Sequence, residues 1–141
     1  MPELSFEITH ENELETVALK ILNHYKNSKI FLLQGTLGAG KTTITKAFAV
    51  QLGCTQKVVS PTYGLVNEYD SDGGKLFHFD LYRLKNINEA IDIGIEDYLY
   101  GKNYCFIEWH KVIEPLLPND CVLINIEVVD DKRLIICTVL R

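Results

Sequence analysis

The sequence predicts an α/β fold in three layers, with helices on both faces of a central mixed β-sheet and residues 1–141 forming one domain. Three observations predict it. The run Ile30-Phe31-Leu32-Leu33-Gln34 has the length and unbroken apolar character of a parallel strand buried on both faces. A glycine-rich stretch follows it, and then Ile44, Ala47, Phe48 and Leu52 repeat at helical spacing, with Gly53 where a helix would stop. Two later apolar runs, Leu76-Phe77-His78-Phe79 and Tyr104-Cys105-Phe106-Ile107, each lead into a carboxylate, Asp80 and Glu108. In open α/β sheets ligands bind beyond the carboxyl ends of the strands, so acids placed there face a site.

The glycine-rich stretch is Gly35-Thr36-Leu37-Gly38-Ala39-Gly40-Lys41-Thr42, a match to the phosphate-binding pattern G-x-x-x-x-G-K-[ST]. A helix start leaves its first N–H groups unpartnered and carries a partial positive charge. Gly35, Gly38 and Gly40 let the backbone bend so that the N–H groups of Leu37, Gly38, Ala39, Gly40 and the residues after them surround phosphate oxygens. Lys41 then places its ammonium on the β- and γ-phosphates, Thr42 offers its hydroxyl to Mg²⁺, and Thr43 brings a second hydroxyl towards the α-phosphate. Strand, glycine loop and helix together point to a P-loop NTPase fold. The bland alternative, a glycine turn before a helix, leaves the strand and the two terminal acids unexplained.

Of the two acids, one is expected to hold Mg²⁺ as a Walker-B acid does, and the other to orient or deprotonate the attacking water. Sequence alone leaves open which takes which role. Between the glycine loop and Asp80 lies Ser60-Pro61-Thr62-Tyr63, where Pro61 biases Ser60 towards an extended backbone. Thr62 reads either as a switch hydroxyl that senses the γ-phosphate and its metal, or as a turn hydroxyl bonded to nearby backbone.

Composition narrows the classes. The 141 residues are 47% hydrophobic, enough for a sizeable core, and the longest apolar runs are far too short to cross a bilayer. The amino-terminal stretch lacks the basic-then-apolar design of a signal peptide, so a cytoplasmic protein is expected. Net charge is −5, and the single adjacent basic pair is Lys132-Arg133. A dedicated nucleic-acid binder needs a basic stripe to displace counterions, so direct sequence-specific binding to nucleic acid is not expected. Cys54, Cys105, Cys121 and Cys137 form no C-x-x-C pair and read as reduced, mostly buried residues.

The remaining elements follow from patterning. Ser5–Ile8 alternates as a short strand, and Thr9 is placed to cap a helix carrying Glu11 and Glu13 in its first turn. Leu14, Val17, Ala18, Ile21, Leu22 and Tyr25 mark its core face. Leu65–Tyr69 and Lys75–Asp80 form a hairpin around Asp70–Gly74. Asn88–Ile91 and Asp92–Leu99 read as a broken helical segment, and Trp109, directly after Glu108, as a packing residue or a partner- or base-facing ring. His78 and His110 show no ligand spacing. Pro115 and Pro118 bracket a loop before a closing hairpin, Cys121–Val129 with Lys132–Leu140.

Five segments in this order carry a resemblance: GTLGAGKTT (Gly35–Thr43), SPTYGLVNEY (Ser60–Tyr69), HFDLYRL (His78–Leu84), DIGIEDYL (Asp92–Leu99) and IEW (Ile107–Trp109). The chain resembles the TsaE family, the small ATPase subunit of bacterial tRNA threonylcarbamoyladenosine synthesis, over nearly its whole length. It departs at Thr36, where the family usually has an acidic or amide residue, and at His110-Lys111, where the family often has Pro-Glu. The resemblance implies a Mg²⁺-dependent P-loop ATPase that docks on the TsaD–TsaB complex and reaches tRNA only through it. It also implies Lys41 on phosphates, Thr42 and Glu108 on magnesium, Asp80 as Walker-B-like acid, Thr62 as switch threonine and Trp109 near the site. The family fold implies that the adenine lies near Glu11 and near Lys132 or Arg133. No arginine is clearly placed as a finger in cis, Arg83 being the nearest candidate, so slow hydrolysis by the isolated chain is expected.

Three rival readings stay in play at this level. A small-molecule kinase would need an arginine-rich lid and a second substrate pocket, neither of which is evident. A GTPase would need an N-K-x-D-like base-recognition segment, which is absent from the sequence. A nucleotide-sensing module without catalysis would tolerate loss of Glu108.

Overall fold

The computed structural model describes residues 3–35, 40–61 and 65–140. Seven strands form one sheet in the order β1-β7-β6-β2-β5-β4-β3. The strands are β1 (Leu4–Ile8), β2 (Ile30–Gln34), β3 (Val66–Ser71), β4 (Gly74–Asp80), β5 (Tyr104–Glu108), β6 (Cys121–Val129) and β7 (Lys132–Leu140). At the centre β6, β2, β5 and β4 run parallel, while β7, β1 and β3 join antiparallel at the two sides. The expected mixed sheet is therefore present, and its parallel part is the part that reads as continuous hydrophobic runs. All four residues Ile30 to Leu33 of β2 are buried, because both faces of a central parallel strand are covered.

Side-chain alternation along the strands divides the interior into two cores. On one face, Phe31 and Leu33 of β2, Phe106 of β5 and Val122 and Ile124 of β6 meet helices α1 (Leu14–His24) and α2 (Lys41–Gln51). Leu14, Val17, Ala18, Ile21 and Tyr25 are all buried there, so the helical stripe read from the sequence is the core face. On the other face, Leu32, Phe79, Cys105 and Ile107 meet the short helices α3 (Ile87–Asp92) and α4 (Ile95–Leu99) and Ile113 of a 3-10 helix spanning His110–Leu116. Helices, sheet, helices make the three layers.

Strand direction decides what reaches the functional edge. Because β2, β4 and β5 are parallel, Gln34, Asp80 and Glu108 end on the same side of the sheet. Asp80 and Glu108 are partners in register, one strand spacing apart, about 4.8 Å. β6 runs with β2, so its hairpin with β7 turns at this same edge, and β7 starts there with Lys132 and Arg133. β1 pairs antiparallel to β7, with Ile8 opposite Arg133, so the chain leaving β1 delivers Glu11 to that edge as well. Five distant stretches are thus gathered by topology alone.

Several local expectations change. Thr9 does not cap the first helix. Instead the Glu13 carboxylate accepts from the backbone N–H groups of Thr9 (2.7 Å) and His10 (2.9 Å), closing a 3-10 turn at Glu11–Glu13 before α1 begins. A longer acidic side chain reaching back satisfies two orphan donors where a threonine hydroxyl would satisfy one. These bonds hold the Glu13 carboxyl below its ordinary range, the His10 N–H contributing most. The first hairpin turns tightly at Asp72-Gly73, with Gly73 at φ 80°, so Asp70 and Gly74 belong to the strands. Pro115 lies inside the 3-10 helix rather than in a loop. The broken helical segment is as expected, with the Asn86 side chain accepting from Glu89 N–H at its start and Gly94 left-handed (φ 75°) at its break.

All four cysteines are free thiols. Cys105, Cys121 and Cys137 sit in strands and are buried, and burial pushes their pKa values to about 12, about 11 and about 12. Only Cys54 is partly accessible. Thiolates, not thiols, attack alkylating reagents. Iodoacetamide applied to the native protein is therefore expected to label Cys54 alone, with the other three reacting only in denaturant, as peptide mass spectrometry would register. Rapid native labelling at Cys105 would contradict this core.

Candidate functional site

The start of α2 lies over the carboxyl ends of β4 and β5. Phe48 of α2 packs against Phe31 (5.5 Å between ring centroids) and Phe106 (4.8 Å), and those two rings stack at 5.3 Å. This trio ties the helix to β2 and β5 two residues before Leu33 and Glu108. Gly40 precedes the helix with φ 108°, a left-handed conformation that a Cβ would strain, and its carbonyl accepts from Ile44 N–H to open the helix. Thr45 Oγ1 donates to the Lys41 carbonyl inside the first turn.

Around this helix start lies a cleft of about 350 Å³ lined by Glu11, Gly40, Lys41, Thr42, Thr43, Ser60, Asp80, Tyr82, Glu108, Trp109 and Arg133. Nine of these were candidate residues from the sequence: Glu11, Gly40, Lys41, Thr42, Thr43, Asp80, Glu108, Trp109 and Arg133. Lys132 is not among them. Strand alternation turns it to the opposite face, where its ammonium lies 3.4 Å from Glu7 Oε1 on β1. Arg133, the next residue, passes beside Gly40 instead, with its Nε 3.5 Å from where a Cβ on that glycine would stand. Leu37, Gly38, Ala39 and Thr62 lie outside the described residues.

The two acids differ. Glu108 is buried (5% exposed), and its Oε2 lies 2.7 Å from Nε2 of the fully buried His78. Asp80 is half-buried, and its Oδ1 accepts from Tyr82 N–H at 3.1 Å. Thr42 Oγ1 lies 2.9 Å from Ser60 Oγ. Ser60 belongs to the site but was not singled out from sequence. The signal available was its place just before Pro61, which biases residue 60 towards an extended backbone, and β3 starts at this edge because it is antiparallel to β4.

Lys41 is 6% exposed, and its ammonium rests 4.2 Å from the Trp109 ring centroid. Trp109 itself is left-handed (φ 61°, ψ 53°), a strained backbone for a bulky residue. The next residue, His110, opens the 3-10 helix, and the Tyr82 ring meets Trp109 at 5.0 Å. Lys41, Tyr82 and Trp109 also form one wall of a second, more apolar hollow of about 430 Å³ that includes Leu33, Leu84 and Val112. Burial holds the His110 imidazole below its usual pKa, against a smaller opposing pull from Glu114.

Among the described residues no three His, Cys, Asp or Glu side chains converge as an all-protein metal cage. Magnesium does not need one, since it usually keeps waters and binds through one or two carboxylates and substrate phosphates. Thr42, Asp80 and Glu108 around one cleft, with a lysine beside them, suit that donor set. Among the same residues no helix is long and apolar enough to cross a membrane.

Comparison with known proteins shows the family and the fold. The family model described as "Threonylcarbamoyl adenosine biosynthesis protein TsaE" matches residues 8–135. The tRNA threonylcarbamoyladenosine biosynthesis protein TsaE of Bacillus subtilis is 37% identical over 134 residues, covering 94% of this chain and 84% of that protein. The protein of the same name in Haemophilus influenzae is 42% identical over 110 residues, 78% of this chain and 70% of its own length. The crystal structure of B. subtilis YdiB superposes with a TM-score of 0.78 at 32% identity, covering 99% of this chain and 87% of that one.

A lysine ammonium held against an indole face contributes about 0.5–2 kcal/mol, more as it is desolvated. A double-mutant cycle with Lys41→Met and Trp109→Leu, read by urea unfolding, is expected to give a coupling of about 0.5–1 kcal/mol. Strict additivity would show that the two side chains do not interact in solution.

Proposed function

The chain belongs to the TsaE family of threonylcarbamoyl adenosine biosynthesis proteins, and from that premise we propose that it binds ATP with Mg²⁺ and hydrolyses it in support of tRNA modification. Its relatives are named for tRNA threonylcarbamoyladenosine biosynthesis, and this chain shares that role. The finer reading is a P-loop ATPase acting at adenosine 37 through a TsaD–TsaB complex, with weak turnover alone and faster turnover when docked. The observation that carries it is the meeting of Lys41, Thr42, Asp80 and Glu108 at the amino end of α2, on the ligand-binding edge of a parallel sheet.

Each residue has a part set by its chemistry. The amino end of α2 offers unpaired N–H groups and a partial positive charge to an anion. Lys41 binds the terminal phosphates, and leaving the Trp109 face for an anionic oxygen exchanges a cation–π contact for a stronger charged hydrogen bond. Thr42 and one of the two strand-end acids would hold Mg²⁺, which when bound neutralises charge building on the phosphate oxygens. Of Asp80 and Glu108, the acid not on the metal orients the attacking water and accepts its proton. Glu11, Thr43 and Arg133, on the far side of Gly40, suit the α-phosphate, ribose and adenine.

Hydrolysis needs charge stabilisation on the transferring group, and an arginine supplied by a partner is worth about 10³–10⁵ in rate. Turnover of ATP by the purified chain is expected to be slow and to rise at least tenfold with TsaD, TsaB and tRNA present, a barrier change of about 1.4 kcal/mol or more. Lys41→Ala is expected to abolish both rates. Equal turnover with and without partners would refute partner activation, and no calorimetric heat with ATP and magnesium would refute the site itself.

A further inference from the structure

His78 is a buried polar residue that the reading above leaves without a task. It sits at the middle of β4 with 0% exposure, two residues before Asp80 and beside Phe106 of β5 in register. Its Nε2 lies 2.7 Å from Glu108 Oε2, and its Nδ1 is the one buried side-chain nitrogen or oxygen among the described residues that has no hydrogen-bond partner. A packing residue at such a place would be apolar, because burying an imidazole costs free energy unless its polar atoms are satisfied. Only the atom facing Glu108 is.

We infer that His78 is a positioning residue for Glu108, donating Nε2–H to Oε2 so that the other carboxylate oxygen is held towards the cleft. An ionised carboxylate only accepts, so the ring nitrogen facing it must carry the hydrogen. The remaining nitrogen of a singly protonated ring is then a bare acceptor, and leaving that unpartnered costs less than stranding a second N–H in the core. A glutamate has three rotatable bonds and, untethered, would distribute over several rotamers. The tether removes that freedom before any ligand arrives. Asp80 needs no such support, because its short side chain is fixed by Tyr82 N–H. Hydrogen-bond partners of metal-binding side chains matter in this way in general, their loss costing about 10- to 100-fold in metal affinity or activity.

The inference rests on the assignment of Glu108 to the magnesium–nucleotide site, and the test separates the two. ATP binding is measured by calorimetry with and without magnesium in wild type, His78→Leu and His78→Gln. The glutamine carries a terminal N–H about as far from the backbone as imidazole Nε2. His78→Leu is expected to lose about 10- to 100-fold of the magnesium-dependent affinity while keeping the metal-free affinity, and His78→Gln to regain most of it. Metal-dependent affinity in His78→Leu within threefold of wild type, equal losses with and without metal, or failure of His78→Gln to rescue would each overturn it. Long-range ¹H–¹⁵N correlation spectra of the wild-type protein give a reading independent of any variant's folding. Protonation at Nε2 alone is expected, and protonation at Nδ1 alone would overturn the inference. Absence of magnesium-dependent binding in the wild type would instead defeat the site assignment, and the spectra would still decide the hydrogen bond.

Discussion

The packing of Phe48 between Phe31 and Phe106 is the contact on which the rest of this structure depends. All three rings are fully buried, and each contributes about 1.5–3 kcal/mol by leaving water. Their larger consequence is geometric. Phe106 stands two residues before Glu108 on the same face of β5, and Phe48 stands two turns beyond Lys41 along α2. Fixing those rings therefore fixes the helix start, with its partial positive charge, over the strand ends that carry the acids. A cluster with no polar atom sets the distance between charged groups.

Charge at that edge is balanced rather than merely accumulated. Asp80 and Glu108 are in register on neighbouring strands, and two carboxylates so close repel when ionised. The helix start, Lys41 and Arg133 around the same cleft supply the compensating positive potential. Lys41 does so while resting on Trp109, where the ring face stabilises an ammonium that has been almost wholly removed from water. The strained backbone of Trp109 costs of order 1–3 kcal/mol and persists because Tyr82 and the following 3-10 helix hold it. The backbone continues directly from Trp109 into that helix through His110 and Lys111.

What could be read in advance was what depends on local pattern. The β2–loop–α2 unit was legible because a buried parallel strand is apolar throughout and an amphipathic helix repeats every 3.6 residues. Asp80 and Glu108 were legible as strand-end acids, and the closing hairpin as two apolar runs around Asp130-Asp131. Whatever depended on register or rotamer was not. Lys132 and Arg133 are equivalent in sequence, and only pairing with β1 decides that one meets Glu7 and the other Gly40. The cap at the first helix was misread because Glu13 lies four residues from Thr9 and its reach backward is a matter of side-chain conformation. The bond between Ser60 and Thr42 joins positions 18 apart, and that between His78 and Glu108 positions 30 apart; neither distance has a periodic signature.

The two acids are the site's least symmetrical feature, although their strands present them as equivalents. Glu108 is the longer side chain, yet it is the more buried and is tied inward to a histidine that no solvent reaches. Asp80 is shorter, sits nearer the rim and closes the turn into Tyr82. Burial strengthens every electrostatic contact of Glu108, since the effective dielectric falls away from solvent, and fixation means that no reorganisation is needed when a charge arrives. Those are the attributes of a group that holds a cation in one place. A carboxylate at the rim, nearer to solvent, is better situated to meet a water molecule. Within the proposed function, that difference in depth assigns Glu108 to the metal and Asp80 to the water.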